Sequence, residues 1–166
     1  MRTSHRRNDG PGEGPRALSY ALHFLAPRAR TEAEVRGRLE KRGFSRRSIE
    51  ECIAGLKCDG LLNDEEFARQ YLEYTRRRKP MGRMRLQREL QRWGVSRQLT
   101  AAVVEEISPE EEEDLARRAL EERRDASGVP GDPEERKRRL RRLFSFLARR
   151  GFPRHVAFRV LDFHGG

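Results

Sequence analysis

The sequence has little material from which to build a single large hydrophobic core. Hydrophobic residues make up 35% of the 166 positions and aromatic residues only 7%, whereas 39% are charged. A chain of this length ordinarily forms one domain, but this composition favours several small cores over one large one. An alternating run of β-branched residues is also missing, and the sequence therefore predicts an all-α protein.

Long apolar segments are absent as well. No run approaches the roughly 20 residues that a membrane-spanning helix requires, and no apolar stretch follows the basic N-terminus as it would in a signal peptide. We therefore expect a soluble, cytoplasmic protein that does not act at a membrane.

Residues that bind metals or carry out nucleophilic chemistry are few and scattered. Cys52 and Cys58 match no metal-binding spacing and make no secreted disulfide framework, so both are expected to be reduced, with Cys52 in a core. The four histidines show no metal-ligand pairing, and the consecutive carboxylates of residues 110–114 point around a helix axis instead of converging on one ion. Glycine-rich phosphate loops are missing too. The sequence therefore predicts no cofactor, no metal and no enzymatic activity.

One short pattern occurs three times: a leucine, three further residues, a glycine and a bulky apolar residue. Its copies begin at Leu39, Leu90 and Leu147. The glycines of the three copies are 51 and 57 residues apart, and each is predicted to end a helix in the left-handed conformation that glycine adopts without strain. These turn residues are Gly43, Gly94 and Gly151. The repetition predicts one supersecondary unit that is used three times.

Capping signals divide the chain into helices. Thr31 and Glu34 form a capping box, and Ser45 and Ser96 follow the first two turn glycines at the position of a helix N-cap. Two further caps, Ser108 and Asp132, each precede a proline, which is favoured at the first helical position. The predicted organisation is a flexible, glycine- and proline-rich tail over residues 1–16 and three three-helix repeats over residues 17–60, 61–107 and 108–166. Such repeats stack into an elongated, solenoid-like array.

The apolar periodicity selects one face of each helix as its core face. Leu18, Leu22 and Leu25 are the predicted core face of the first helix. In the second repeat, aromatic side chains fit a core stripe better than a platform for stacking nucleic-acid bases, although their rings suit either role. These aromatic residues are Tyr71, Tyr74 and Trp93.

Positive charge is concentrated in two segments. Lys and Arg number 37 against 27 Asp and Glu, and the net charge of +10 favours a polyanionic partner such as nucleic acid or a nucleoprotein assembly. Residues 69–97 contain ten basic and two acidic residues, and residues 136–154 contain nine basic and no acidic residues. The first predicted binding patch comprises Arg76, Arg77, Arg78, Lys79, Arg83, Arg85, Arg88 and Arg92. The second comprises Arg138, Arg139, Arg142, Arg149 and Arg150.

Two other interpretations of this charge stay open at the level of the sequence. Residues 105–122 contain nine acidic residues, which can pair with the basic segments inside the molecule instead of leaving them for a partner. A DNA-binding helix after Gly82 is the other possibility, with side chains that read base edges. The residues suited to base reading are Arg85, Gln87, Arg88 and Gln91.

The stretch Gly-Leu-Leu-Asn-Asp-Glu-Glu-Phe-Ala over residues 60–68 carries a resemblance to a known family. Lys79-Pro80-Met81-Gly82 and Gly94-Val95 continue it in register, and similar flanking motifs occupy residues 31–35, 43–45 and 147–152. In these motifs the sequence resembles the bacterial RecX family, the regulators of the RecA recombinase. The resemblance covers roughly residues 17–163.

The resemblance implies a curved array of three-helix repeats that lies in the groove of the filament that RecA forms on single-stranded DNA. There it would curb recombinase, ATPase and coprotease activities, in the regulation of DNA repair and the SOS response. We expect the protein to act as a monomer. The residues also leave open a stand-alone basic DNA-binding protein, which would contact single-stranded DNA directly and act by masking it.

Overall fold

The computed structural model describes residues 12–123 and 132–163, which contain nine helices and no strand. The helices are α1 (Glu13–Leu25), α2 (Glu32–Lys41), α3 (Arg46–Cys58), α4 (Asp64–Arg78), α5 (Arg83–Arg92), α6 (Arg97–Glu105), α7 (Pro109–Glu122), α8 (Pro133–Arg149) and α9 (Arg154–Phe163). None of these helices is long and apolar enough to cross a membrane. The predicted all-α class is confirmed.

The described residues form two compact units. The first comprises the residues up to Ala68 together with Trp93–Val95, and the second comprises Arg69–Arg92 and the residues from Ser96 onward. In the first unit α1, α2 and α3 pack on one another. In the second unit α7, α8 and α9 pack on one another, and α5 packs on α6. Tandem three-helix packing is thus confirmed, whereas the boundaries of the three repeats stay predictions.

The three turn glycines adopt the predicted left-handed conformation. Their φ angles are 85° at Gly43, 86° at Gly94 and 85° at Gly151. After α2, Phe44 N donates to Leu39 O and Gly43 N donates to Glu40 O. The turn after α8 repeats this pair of bonds, which satisfies helix-end carbonyls that would otherwise lack a partner.

The predicted caps are confirmed as well. Thr31 Oγ1 accepts a hydrogen bond from Glu34 N, and the Glu34 carboxylate accepts one from Thr31 N, both at 3.2 Å. The other predicted caps also accept from backbone N–H groups in the first turn of their helices; they are Ser45, Ser96, Ser108 and Asp132.

The turn Trp93–Val95 is embedded in the first unit. Thr31 Oγ1 donates to Trp93 O at 2.6 Å, so the capping residue of α2 also fixes this turn. The Trp93 ring meets Phe67 edge to face, with 6.2 Å between the ring centroids. Gly94 lies so close to α2 that a Cβ atom there would be 2.2 Å from Ala33 Cβ.

The core face of α1 differs from the predicted one. Leu18 and Leu22 are 39% and 41% exposed, whereas Ala17 and Ala21 are buried against α3 and the rest of the core. The leucine periodicity therefore predicted the helix correctly, but of the three leucines on the predicted core face only Leu25 packs against the core. A buried carboxylate at the start of the helix, that of Glu13, selects the rotation of α1, because it must reach its hydrogen-bond donors.

The predicted tail ends earlier than residue 16. Residues 1–11 lie outside the described residues, but α1 begins at Glu13, and the Glu13 carboxylate is buried. It accepts hydrogen bonds from Ser45 N at 2.9 Å, Ser45 Oγ at 2.6 Å and Ser48 Oγ at 2.8 Å. These bonds anchor the first turn of α1 to the start of α3, a long-range contact that glycine and proline content does not reveal.

This anchor predicts an acid-dependent loss of stability. Hydrogen bonds from Ser45 and Ser48 lower the pKa of Glu13, so its contribution to stability is present above the unfolded-state pKa of about 4.3. The contribution is lost as the pH falls through the lowered folded-state value. We expect Glu13→Gln to flatten the fall in melting temperature between about pH 5 and pH 3, as followed by circular dichroism. Glu40→Gln, at an exposed glutamate of the same unit, should leave that slope in place; equal slopes for Glu13→Gln and the wild type would contradict the anchor.

The remaining predictions on core residues are partly confirmed. Cys52 is buried in the core of the first unit, where burial raises the pKa of its thiol, and Cys58 is exposed. Tyr74, predicted to lie in a core stripe, is instead 47% exposed and packs on the ring of Tyr71. Tyr74 points outward because α4 buries only its Leu72 and Thr75 side at this level.

Candidate functional site

Arg76, in the first predicted patch, is half-buried and bound to carboxylates within the second unit. Its guanidinium donates to Glu111 at 2.6 Å and to Glu73 at 2.7 Å. These hydrogen bonds raise the pKa of Arg76 above its usual range. The side chain therefore connects α4 to the acidic helix α7.

Arg83 is likewise bound within the second unit. Its backbone N–H donates to Glu112 Oε1 at 2.9 Å, its Nε lies 3.5 Å from Glu112 Oε2, and its guanidinium donates to Ile107 O. Glu112 is only 2% exposed. The sequence left open that the acidic and basic segments pair with each other inside the molecule. Such pairing is present at Arg76 and Arg83.

The consecutive carboxylates of α7 diverge, as predicted. Glu111 binds Arg76 of α4, and Glu112 binds Arg83 of α5. Glu113 instead faces α9, where it accepts a hydrogen bond from Arg159 at 2.7 Å. Across residues 12–123 and 132–163, no group of three or more His, Cys, Asp and Glu side chains is placed to hold a metal ion.

The end of α4 carries two exposed cations. Arg118 donates to the carbonyl oxygens of Arg76 and Arg77 and so covers the C-terminus of α4 from the side of α7. The Arg77 side chain is 78% exposed and only loosely paired, with its Nε 3.6 Å from Glu73. Arg78 is also exposed, and Lys79 is half-buried.

The corner between α4 and α5 is buried. Pro80, Met81 and Gly82 are all buried. Gly82 N donates to Arg150 O at 3.0 Å, and Arg150 Nη1 donates back to Pro80 O at 3.1 Å. A Cβ atom on Gly82 would be 2.2 Å from Gly151 O, so the turn after α8 meets the start of α5 at backbone contact.

This backbone junction brings the two predicted patches together. Arg149 lies at the end of α8, beside the basic face of α5, and the two helices border an open groove of about 250 Å³. Its lining residues are Arg85, Arg88, Glu89, Arg92 and Arg149. Four arginines and one glutamate give the groove a formal charge of +3. The sequence places Arg149 in a separate patch, because only the long-range junction shows that it adjoins α5.

Glu89 is fully occupied by two neighbours. It accepts from Arg85 Nε at 2.9 Å and from the Tyr71 hydroxyl at 2.9 Å. Burial would raise the pKa of Glu89, but the hydrogen bonds from Arg85 and Tyr71 outweigh it and lower that pKa. Burial and the bond to Glu89 raise the pKa of Tyr71 to about 12. The glutamate is therefore ionised, and its charge offsets that of Arg85.

Three cations of the groove have no carboxylate partner among the residues that the structure describes. Arg88 donates its Nε–H to Met84 O at 3.2 Å, which orients the guanidinium along α5. Arg92 and Arg149 are exposed, and neither has an ion pair with any described residue. Gln87 and Gln91 are exposed on α5 as well, whereas Arg85, the first of the predicted base-reading residues, is held by Glu89.

The rest of the second predicted patch lies outside this groove. Arg138 and Arg142 are exposed on α8, and Arg139 is half-buried. Arg150 stacks on Phe146, with 5.3 Å between the guanidinium and the ring centroid, and bonds to Pro80 O. Arg149 alone therefore contributes from this patch to the groove.

A larger hollow of about 950 Å³ lies in the first unit, beside α1 and the Gly43 turn. Its side chains are engaged in the fold: Tyr20 and Phe44 pack on the core, Arg42 stacks on Tyr20 at 5.0 Å, and Glu13 is held by the serines of α3. It is larger than the α5–α8 groove but sets only two arginines, Arg16 and Arg42, against the carboxylate of Glu13, so the groove with its four arginines is the better candidate site. The fold and the groove define an all-α protein of tandem three-helix units with a groove lined by arginines.

Comparison with known proteins identifies the family. A sequence model of the first three-helix domain of RecX matches residues 17–56, and a model of the second three-helix domain of RecX matches residues 63–104. The chain belongs to the RecX family. The Regulatory protein RecX of Corynebacterium efficiens is 39% identical over 80% of this chain and 64% of its own length. That of Amycolatopsis mediterranei is 35% identical over 88% of this chain and 81% of its own length.

Solved structures show the same fold. The crystal structure of RecX from Lactobacillus salivarius superposes with a TM-score of 0.76 at 16% identity, over 90% of this chain and 95% of that one. A second crystal structure of a regulatory protein RecX gives a TM-score of 0.77 at 21% identity, over 90% of this chain and 73% of that one.

Proposed function

We propose that this protein binds the filament that RecA forms on single-stranded DNA and restrains its recombinase, ATPase and coprotease activities. In this role it would regulate DNA repair and the SOS response. Its membership of a family whose curated relatives are named Regulatory protein RecX supports the choice of partner. The observation that carries the proposal is the set of exposed arginines in the second unit that have no close carboxylate partner among the described residues.

A filament that carries DNA suits such a set of cations. It presents an extended, repeated and partly anionic surface, so modest contacts at several points act at high effective concentration. Arg77 and Arg78 at the end of α4 and the arginines of the α5–α8 groove supply separate contact points in one compact unit. Binding of this kind needs no catalysis, because occupation of the filament is enough to hinder its assembly or its access to substrates.

The contacts within the fold support a division of the predicted patches by role. Arg76, Arg83 and Arg150 stabilise the second unit, since each is bound to partners inside it. The exposed cations are the proposed contacts with the filament: Arg77, Arg78, Arg88, Arg92, Arg138, Arg142 and Arg149.

Charge reversal at the end of α4 tests the proposal. We expect Arg77→Glu with Arg78→Glu to weaken binding to RecA filaments on single-stranded DNA about tenfold or more at low salt and to relieve inhibition of the ATPase accordingly. Sedimentation of filaments with bound protein and a coupled ATPase assay would measure both effects. The matched control, Arg46→Glu with Arg47→Glu, reverses two exposed cations on α3 of the first unit and should change binding less than about threefold. Equal loss in both variants would assign the effect to net charge alone.

Direct DNA binding is the second candidate function, and the unpaired arginines of the groove favour it. Affinity for a naked single-stranded oligonucleotide, measured at the same ionic strength as affinity for the filament, separates the two functions. Binding to the filament is expected to be the tighter of the two. Equal affinities would replace the regulator with a protein that acts by masking DNA.

A further inference from the structure

We propose that the α5–α8 groove is a phosphate-binding site for the backbone of single-stranded DNA, with Arg88, Arg92 and Arg149 as the contacting residues. The choice of a single strand rests on the proposed function. The site itself rests on the charge, size and rigidity of the groove.

Within residues 12–123 and 132–163, the charge of the groove is left largely uncompensated. Its one carboxylate, Glu89, is held by Arg85 and by the Tyr71 hydroxyl, so it neutralises none of the other three arginines. The three guanidinium groups carry the same charge and repel one another across the groove. An anion between them would remove that repulsion.

Helix-end electrostatics explains only part of this arrangement. Arg92 and Arg149 lie in the last turns of α5 and α8, where a cation stabilises a helix by about 0.3–1 kcal/mol. That effect accounts for a basic residue at each helix end. It does not explain Arg88 in the middle of α5, or the convergence of cations from two helices on one groove.

The size of the groove favours phosphate groups over a whole nucleotide. Its volume of about 250 Å³ is smaller than most pockets for small molecules, which measure roughly 300–1,000 Å³. Arg85 and Arg92 are seven residues apart, which is about 10 Å along a helix. In a B-form duplex the phosphates of one strand rise by about 3.4 Å per nucleotide along the helix axis, and in an extended single strand they lie further apart, so this length accommodates about two or three phosphates. A guanidinium group binds a phosphate through two parallel N–H donors, so each free arginine can hold one phosphate.

The groove is also held rigid before any ligand arrives. The bonds from Gly82 N to Arg150 O and from Met84 N to Gly151 O fix the start of α5 against the end of α8. Because these bonds are between backbone atoms, the spacing of the two basic faces does not depend on flexible side chains. Little ordering is then needed on binding, which favours affinity.

The test compares two triple variants that each remove three positive charges. The groove variant carries Arg88→Gln, Arg92→Gln and Arg149→Gln. The control variant carries Lys41→Gln, Arg46→Gln and Arg47→Gln, all exposed and in the first unit. Fluorescence anisotropy with a labelled oligodeoxythymidine of about 15 nucleotides, which is several times longer than the groove, is recorded from 50 to 200 mM salt, and filament binding is measured beside it.

The groove variant is expected to bind the oligonucleotide at least about tenfold more weakly, with a salt slope smaller by about 2, because each lost phosphate contact removes about 0.7. The control variant should keep the wild-type slope. Equal slopes in the two variants would overturn the site. If the groove variant unfolds at a lower temperature than the wild type, the single variant Arg149→Gln takes its place, because the Arg149 side chain makes no bond to the described residues. The expected decrease in the salt slope is then about 0.7.

Pyrophosphate distinguishes a strand from a small anion as the occupant. At ionic strength matched with salt, pyrophosphate should displace the oligonucleotide from the wild type, and the arginine Nε–H resonances of the groove should shift with either ligand. A shift with pyrophosphate alone, while the oligonucleotide binds both triple variants equally, would mean that the groove binds small anions only and would overturn the proposal. If the wild type bound the oligonucleotide through the groove but failed to bind the filament, the proposed function would fail and the phosphate site would stand.

Discussion

Replacing Gly151 by alanine is expected to lower the free energy of unfolding by about 3 kcal/mol or more, whereas the same change at Gly43 is expected to cost only about 1 kcal/mol. The two glycines have the same φ angle of 85°, so the cost of left-handed backbone for alanine is common to both. The difference comes from their surroundings. A Cβ atom on Gly43 would meet nothing within 4 Å, but one on Gly151 would be 2.3 Å from Arg85 Cβ and 2.4 Å from Arg85 N.

The clash at Gly151 involves backbone atoms of Arg85, so a small side-chain movement cannot remove it. To clear it, α5 must move away from the turn after α8, and the bond from Met84 N to Gly151 O breaks with that movement. Gly94 should fall between the other two, because its added Cβ meets the Ala33 side chain at 2.2 Å. Urea unfolding followed by circular dichroism at 222 nm measures all three. Equal losses would show that backbone conformation alone, and not the neighbours, sets the cost.

Replacing Arg83 by alanine is expected to destabilise the protein by about 2–3 kcal/mol, although Arg83 lies within a segment predicted to contact a partner. The loss follows from Glu112, which is 2% exposed and would keep only the backbone N–H of residue 83 as a donor. Removal of one member of a buried ion pair leaves the other as an uncompensated buried charge. Chemical unfolding measures the change.

Arg88→Ala is the matched control for this prediction. Arg88 lies on the same helix, is exposed and has no carboxylate partner among the described residues, so its loss should change stability by less than about 0.5 kcal/mol. The double variant Arg83→Ala with Glu112→Gln should recover part of the loss, since it removes the buried charge as well. If Arg83→Ala proved as stable as Arg88→Ala, the Arg83–Glu112 pair would have no structural role.

Local signals in the sequence predict most of the helix boundaries. The Thr31–Glu34 capping box, the serine caps and the turn glycines act within one or two turns of a helix, so their residue types indicate the conformation directly. The repeated pattern around Gly43, Gly94 and Gly151 then predicts tandem units, because equal local chemistry gives equal local structure.

Long-range contacts account for what the sequence did not predict. The rotation of α1 depends on Glu13 reaching Ser45, which is 32 residues away. The division of the basic segments into structural and exposed arginines depends on where α7 places Glu111 and Glu112. Charge density along the chain cannot separate Arg76, which is paired, from Arg77 beside it, which is largely exposed.

The groove also depends on a long-range contact that the sequence does not predict. Arg88 and Arg92 are predictable as one face of α5 from their spacing, but Arg149 joins them only through the contact of Gly82 with the Gly151 turn. The sequence feature that corresponds to this contact is a pair of glycines, Gly82 and Gly151, which lie far apart in the chain and have no room for a side chain. A single sequence does not reveal that they face each other.

The position of Trp93 gives the molecule a built-in optical reporter. The sequence contains one tryptophan, and its indole lies in a turn fixed by the Thr31 hydroxyl and packed against Phe67. Its emission therefore reports on a single junction, where α2 and the first turn of α4 meet the segment that leaves α5. Loosening of that junction is observable without any added dye, separately from the loss of helix elsewhere in the chain.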